Sequence, residues 1–158
     1  MREIPGQRRD RVFAAIEIPA LGIWLGALLG FAFVSAPLAF RIVAPLDLAR
    51  FAELTAASIG RLTIWGYVLG GIAIVAAFVR AIDAADRTWD AVRLLLMVGA
   101  LALVTWERQS VVPQMQAMTD LRSAEYRALH TRSSEIYGGA ALLAFIALVL
   151  AAARQPEP

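Results

Sequence analysis

The sequence predicts an all-α protein, a bundle of four transmembrane helices with a short interfacial helix and a polar helical connection before the last span. Four long blocks are apolar and almost uncharged, at residues 18–40, 62–79, 94–106 and 136–153. A helix needs about 20 apolar residues to cross the roughly 30 Å hydrocarbon core of a bilayer. Arginines and tryptophans stand at the block edges, where such side chains reach headgroup depth. We expect one integral-membrane domain over residues 1–158, with spans at about 12–42, 61–80, 90–112 and 135–153.

The first span is predicted over about residues 12–42. Pro37 cannot donate a backbone hydrogen bond to the carbonyl of Phe33, so a kink is expected there. Arginines precede this block, as they do in a secretory signal peptide, but the apolar part is longer than a signal core of about 7 to 15 residues. We therefore expect the segment to stay in the mature protein.

The stretch between the first two blocks predicts the interfacial helix. Mostly apolar residues recur there at a spacing of three and four, at Leu48, Phe51, Thr55, Ile59 and Leu62. This spacing is typical of an amphipathic helix that lies on the membrane surface. The second span is expected to follow it as a separate element over residues 61–80.

The third block is the shortest. It reaches spanning length, at about 90–112, only if the Arg93 guanidinium group extends to the interface and Glu107 is paired. Pro113 predicts a bend after it. Residues 114–135 are polar but compatible with a helix, so we expect a helical connection that leads directly into the fourth span.

Composition excludes several classes of function. The 15 basic residues, all arginine, and the 13 acidic residues lie mainly in clusters between the apolar blocks. Such clusters anchor a membrane protein, whereas nucleic-acid binding needs a continuous basic surface. The chain has no cysteine, which excludes disulfides and thiolate sites, and its single histidine cannot supply bis-histidine haem ligation within one chain. No catalytic signature occurs, and we expect no enzyme activity, no catalytic residue, no metal site, no cofactor and no nucleic-acid partner.

Glycines at four-residue spacing predict close helix contacts. Gly22, Gly26 and Gly30 form a ladder on the first span, and the spacing recurs on the second span at Gly66 and Gly70. Glycines four apart share one helix face and let another backbone approach closely. The partner is either another helix of the same bundle or, in the alternative interpretation, the first span of a second copy.

Glu17 is an acidic residue just inside the first apolar block. A four-span topology places it on the same side of the membrane as Arg80, Arg93 and Arg154. We expect a structural ion pair there, and a proton relay is the alternative.

The opposite membrane surface holds the candidate binding site. Topology brings to it polar residues that are distant in sequence, namely Arg41, Glu107, His130, Ser133 and Ser134. In this hypothesis Arg41 neutralises Glu107, His130 titrates or ligates, and the serines donate hydrogen bonds. The alternative is that these residues only satisfy helix ends and anchor the bundle.

Three segments of the chain resemble, in order and spacing, those of a four-helix membrane family of unknown function that includes the transmembrane protein associated with cisplatin resistance. The segments are FVSAPLAFRIVAP at 33–45, VTWERQSVVPQMQAM at 104–118 and YRALHTRSS at 126–134. The matching residues are Phe40, Arg41, Pro45, Pro113, His130, Ser133 and Ser134. The sequence departs from its relatives at Glu107 and Tyr137, where they tend to carry asparagine. The resemblance implies four spanning helices, membrane residence and a loose link to metal-drug or solute handling.

Three functions follow as hypotheses. The first is a small-solute or metal-species binding and export-related role at the polar surface, with the ligand unspecified. The alternative is a structural or accessory subunit, which docks to itself or to a larger membrane complex through the glycine ladder. A further alternative is a haem- or quinone-dependent oxidoreductase with His130 as a ligand. We expect the lipid bilayer of the plasma or inner membrane as the environment and cytoplasmic termini, because the N-terminal arginine cluster is dense.

Overall fold

The computed structural model of the protein describes residues 5–83 and 87–153, and over these residues every regular element is helical. The α-helices are α1 (Pro5–Gly30), α2 (Ala36–Ile42), α3 (Leu48–Asp83), α4 (Arg87–Trp106), α5 (Val112–Gln116) and α6 (Ala124–Ala153). Two π-helical turns, Phe31–Ser35 and Glu107–Val111, join α1 to α2 and α4 to α5.

Four helical stretches are long and apolar enough to cross a membrane, at Arg9–Ile42, Leu48–Ile82, Thr88–Gln116 and Ala124–Ala153. The predicted fold class, an all-α protein with four membrane-capable helices, is therefore confirmed. Large apolar side chains such as Phe33, Ile64 and Leu95 are exposed along these helices, as expected for a surface that contacts lipid. The predicted domain limits, residues 1 and 158, lie outside the described residues.

Both π-helical turns precede a proline and explain how the spans continue through it. Because Pro37 has no backbone N–H, its turn cannot keep the regular α-helical bonding. Instead the Ala36 N–H bonds to the carbonyl of Phe31, five residues back. The Val112 N–H likewise bonds to the carbonyl of Glu107, just before Pro113. The predicted kink and bend are thus widened turns within continuous spans.

Two connections differ from the prediction. Residues 48–62 are helical but form the first part of the 36-residue α3. No proline interrupts the chain there, and Gly60 keeps a negative φ, so the helix continues through it. The polar connection before the last span is broken between α5 and α6. Asp120 accepts a bond from the Arg122 N–H, and Ser123 Oγ accepts one from the Tyr126 N–H, which caps the new helix.

The bundle packs α1 against α3 and α4 against α6, with α3 contacting α4 and α1 contacting α6. Small side chains form most of its centre. Alanines at a spacing of three and four line the buried face of α6, at Ala140, Ala144, Ala147 and Ala151. Because lipid offers no hydrophobic drive between helices, close approach over such small residues supplies the dispersion contacts that hold the bundle.

Candidate functional site

Two layers of buried polar side chains lie at opposite ends of this apolar core. One surrounds Glu17, and the other surrounds Glu107. Arg93 of the first layer and Glu107 of the second lie on one continuous span, 14 residues apart in the sequence. At a rise of about 1.5 Å per residue they are separated by roughly 21 Å, so each layer lies toward one edge of the hydrocarbon.

The Glu17 layer is an ion-pair network that joins α1, α3 and α4. Arg80 Nη1 lies 2.7 Å from Glu17 Oε2, and Arg93 Nε lies 2.9 Å from Glu17 Oε1. Arg93 Nη2 also lies 3.1 Å from Asp90 Oδ1. Over the described residues the network holds two acids and two guanidinium groups, all buried, and these four formal charges sum to zero. The predicted ion pair of Glu17 is confirmed, and such a balanced network ties three helices together.

The Glu107 layer has a different chemistry. Glu107 is 1% exposed, and its Oε1 accepts a hydrogen bond of 2.7 Å from Ser133 Oγ. Its Oε2 is buried without a hydrogen-bond partner. Across the described residues, no basic side chain lies within ion-pair distance of this carboxylate. A carboxylate in this position is therefore held by hydroxyl groups rather than by a cation.

Two more hydroxyls extend the Glu107 layer to α3. The Tyr137 hydroxyl interacts with the Glu107 carboxylate, and it lies 3.2 Å from Thr63 Oγ1. Thr63 Oγ1 also donates to the carbonyl of Ile59, one turn back on its own helix. Glu107, Ser133, Tyr137 and Thr63 thus connect α3, the second π-helical turn and α6 in one polar chain.

The local sequence explains why Glu107 points inward. The π-helical turn that begins at Glu107 widens the helix, and Glu107 and Val111 are its two buried residues. On α6, Ser133 and Ile136 are buried on one face while His130 and Ser134 are exposed. The position of a residue on the helix, as well as its type, therefore decides whether its side chain reaches Glu107.

Of the five predicted site residues, the structure brings together only Glu107 and Ser133. Arg41 is exposed on α2, and α2 contacts only α3 and the first π-helical turn. His130 is exposed, with its ring 6.4 Å from that of Tyr126, and Ser134 Oγ donates to the carbonyl of His130. The predicted neutralisation of Glu107 by Arg41 therefore does not occur, because α2 diverges from the helices that hold Glu107.

Two residues of the layers were not predicted from the sequence, Thr63 in the Glu107 layer and Asp90 in the Glu17 layer. Thr63 lies inside an apolar block, and a threonine there commonly bonds to its own helix backbone, so its type gives no clear signal. Asp90 lies three residues before Arg93, which is the spacing of an ion pair on one helix. That spacing was the available signal.

The predicted helix-packing glycines divide into two groups. A Cβ placed on Gly66 would lie 2.8 Å from the Trp24 indole nitrogen, and one on Gly70 would lie 2.9 Å from the Leu101 side chain. At Gly22, Gly26 and Gly30, such a Cβ meets no atom within 4 Å. In the described bundle, Gly66 and Gly70 of α3 therefore allow close internal contacts, whereas the three glycines of the α1 ladder face open space.

The donor set of the Glu107 layer does not resemble a metal centre. Over residues 5–83 and 87–153, no group of three or more histidine, aspartate or glutamate side chains is placed to hold a metal ion. The layer offers one carboxylate and three hydroxyl groups, a set that can bind or transfer a proton through hydrogen bonds.

The fold and its two buried polar layers define a multi-pass integral membrane protein built as a four-helix bundle. The chain belongs to the family described as "Domain of unknown function (DUF4149)", which matches residues 20–124. The match includes Glu107 and Thr63 but ends before Ser133 and Tyr137. No curated protein and no solved structure matches the chain.

Proposed function

We propose that this protein has a small-solute binding and export-related role, in which Glu107 binds a proton. The observation that carries the proposal is the burial of Glu107 without an ion pair among the described residues. The neighbouring Arg108 attracts this carboxylate without pairing with it. A buried carboxylate that no ion pair compensates costs several kcal/mol, and binding a proton removes the charge. Intramembrane acids of this kind are characteristic of proton and ion pathways.

The geometry around Glu107 supports a proton rather than a metal species. Among the described residues Oε2 has no hydrogen-bond partner, so it is the oxygen available to bind a proton, and the Tyr137 hydroxyl, which interacts with the same carboxyl group, can accept a hydrogen bond. The Tyr137–Thr63 contact then extends this path to α3. In this proposal the protein resides in the plasma or inner membrane with cytoplasmic termini.

The proton site can be tested by infrared difference spectroscopy of the purified protein in detergent, between acidic and alkaline buffer. We expect the wild type to show the C=O stretch of a buried protonated carboxyl group, and Glu107→Gln to lack that band. Glu53→Gln is the matched control, because Glu53 is exposed on α3. We expect Arg41→Ala and His130→Ala to retain the band, since neither residue contacts Glu107.

A band that persists in Glu107→Gln would assign the proton to another acid. A wild type without any buried carboxyl band would show that Glu107 stays ionised over the whole range. Either result would remove the proton site and, with it, the structural support for a solute-handling role.

A second function, a structural or accessory subunit, is favoured by the open ladder of α1. Gly22, Gly26 and Gly30 present a smooth face that no described residue covers, and such a face suits contact with a second copy or with a helix of a larger membrane complex. In this proposal, α1 is the docking helix.

Substitution of one ladder glycine tests self-association. We expect Gly26→Leu to convert a dimer into a monomer in sedimentation analysis, because a leucine side chain keeps the two helix backbones apart. Gly71→Leu is the control, because a Cβ on Gly71 is equally open but lies on α3. A wild type that is already monomeric, or a dimer that Gly26→Leu leaves intact, would contradict self-association through the ladder.

A further inference from the structure

An open groove of about 470 Å³ lies between the first span and α3, at the same end of the bundle as Glu107. The first span contributes Ala27, Gly30, Phe31 and Ser35, and α3 contributes Ser58, Arg61, Leu62 and Trp65. Phe31 and Ser35 are the first and last residues of the π-helical turn in this span. The groove lies outside the Glu107 layer, which is formed by α3, α6 and the other π-helical turn.

The polar and apolar residues of the groove are separated along the membrane normal. On the first span, Ser35 lies eight residues beyond Ala27, which is about 12 Å closer to the membrane surface. On α3, which runs in the opposite direction, Ser58 and Arg61 precede Trp65. The outer part of the groove therefore holds hydroxyl groups and a guanidinium group, while the inner part is apolar.

The depth of Arg61 places it at the headgroup level. Arg61 and Arg80 lie 19 residues apart on the same helix, which corresponds to about 28 Å and matches the thickness of the hydrocarbon core. Trp65, one turn deeper, is exposed as expected for an aromatic ring at the membrane interface. The groove thus runs from headgroup depth into the acyl-chain region.

Among the described residues, the guanidinium group of Arg61 forms no ion pair. Its side chain is exposed, and among the residues that the structure describes no carboxylate lies within 4 Å of it. By contrast, the arginine at the other end of the same helix, Arg80, is paired with Glu17. A lone guanidinium group beside two serines at headgroup depth is complementary to a phosphate.

We propose that this groove binds an anionic phospholipid, with its phosphate at Arg61 and Ser35 and an acyl chain against Ala27, Phe31, Leu62 and Trp65. Ser58 lines the same end, but its hydroxyl donates to the carbonyl of Leu54. The occupant follows from the lining, because only an amphiphile with an anionic head satisfies both parts of the groove at this depth. The site is independent of proton binding at Glu107.

The test is a titration of the delipidated full-length protein with phosphatidylglycerol, with phosphatidylcholine as the zwitterionic comparison, followed by native mass spectrometry. We expect Arg61→Gln to weaken phosphatidylglycerol binding about fivefold, the effect of one interfacial basic residue, and to abolish the preference over phosphatidylcholine. Arg50→Gln, which removes an exposed arginine of the same helix outside the groove, should leave binding unchanged.

A second pair of variants tests the apolar part. Gly30 lines the groove and has open space at its Cβ, so Gly30→Leu should fold and block the acyl chain. Gly22→Leu, equally open but outside the groove, is its control. The proposal is overturned if Arg61→Gln or Gly30→Leu binds phosphatidylglycerol as the wild type does, if Gly22→Leu loses binding equally, or if inorganic phosphate displaces the lipid.

Discussion

Glu17→Gln is expected to lower the free energy of unfolding by about 3–5 kcal/mol, the effect of removing one partner from a buried ion pair. Glu17 is 0% exposed and contacts both Arg80 and Arg93. When Glu17 loses its charge, the described part of the layer has one acid, Asp90, beside two guanidinium groups at the edge of the hydrocarbon. The measurement is an unfolding titration in mixed micelles, with the loss of helix followed by circular dichroism.

Two comparisons separate this effect from the loss of a surface charge. Glu53→Gln, an exposed acid on α3, should change the free energy of unfolding by less than about 0.5 kcal/mol. The double variant Glu17→Gln with Arg80→Met should recover part of the loss, because among the described residues Arg80 pairs with Glu17, whereas Arg93 also pairs with Asp90. Equal effects of Glu17→Gln and Glu53→Gln would show that the network contributes little to stability.

The contrast between Glu17 and Glu107 shows what the sequence can and cannot predict. Both acids lie within predicted spans, directly beside an apolar block, which indicates that each is buried and needs a partner. For Glu17, topology predicts an arginine partner, because a four-span chain places Arg80, Arg93 and Arg154 at the same membrane edge, and the first two contact Glu17. For Glu107 the same topology offers several polar residues, and only side-chain register decides among them.

That register depends on backbone details that residue types do not encode. Pro37 and Pro113 predict interruptions of the two spans, but a kink and a π-helical turn rotate the following side chains differently. Arg41 lies beyond the first of these turns, on α2, which contacts α3 but not the helices that hold Glu107 and Ser133. Ser133 and Ser134 are adjacent, and the helix period sends one inward and the other outward. The fold was therefore predictable from hydropathy, whereas membership of the site was not.

Substitution of glycine by alanine is expected to change the free energy of unfolding in opposite directions at two positions of α3, Gly66 and Gly71. At Gly66 an added Cβ would lie 2.8 Å from the Trp24 indole nitrogen. Trp24 is buried in the core, so its rigid ring cannot move aside cheaply. Overpacking of this kind costs about 1–3 kcal/mol. At Gly71 the added Cβ meets nothing within 4 Å, and alanine is favoured over glycine in a helix by up to about 1 kcal/mol.

We therefore expect Gly66→Ala to lower the free energy of unfolding in mixed micelles and Gly71→Ala to raise it slightly. Because both residues lie on α3 and receive the same methyl group, helix propensity cancels in the comparison. The difference between the variants then measures the contact between α1 and α3 alone. If Gly66→Ala also stabilises the protein, Trp24 does not lie against α3 at this point, and the close approach of the first two spans is disproved. A loss at Gly66 that Trp24→Phe relieves would instead identify the indole ring as the group that requires glycine there.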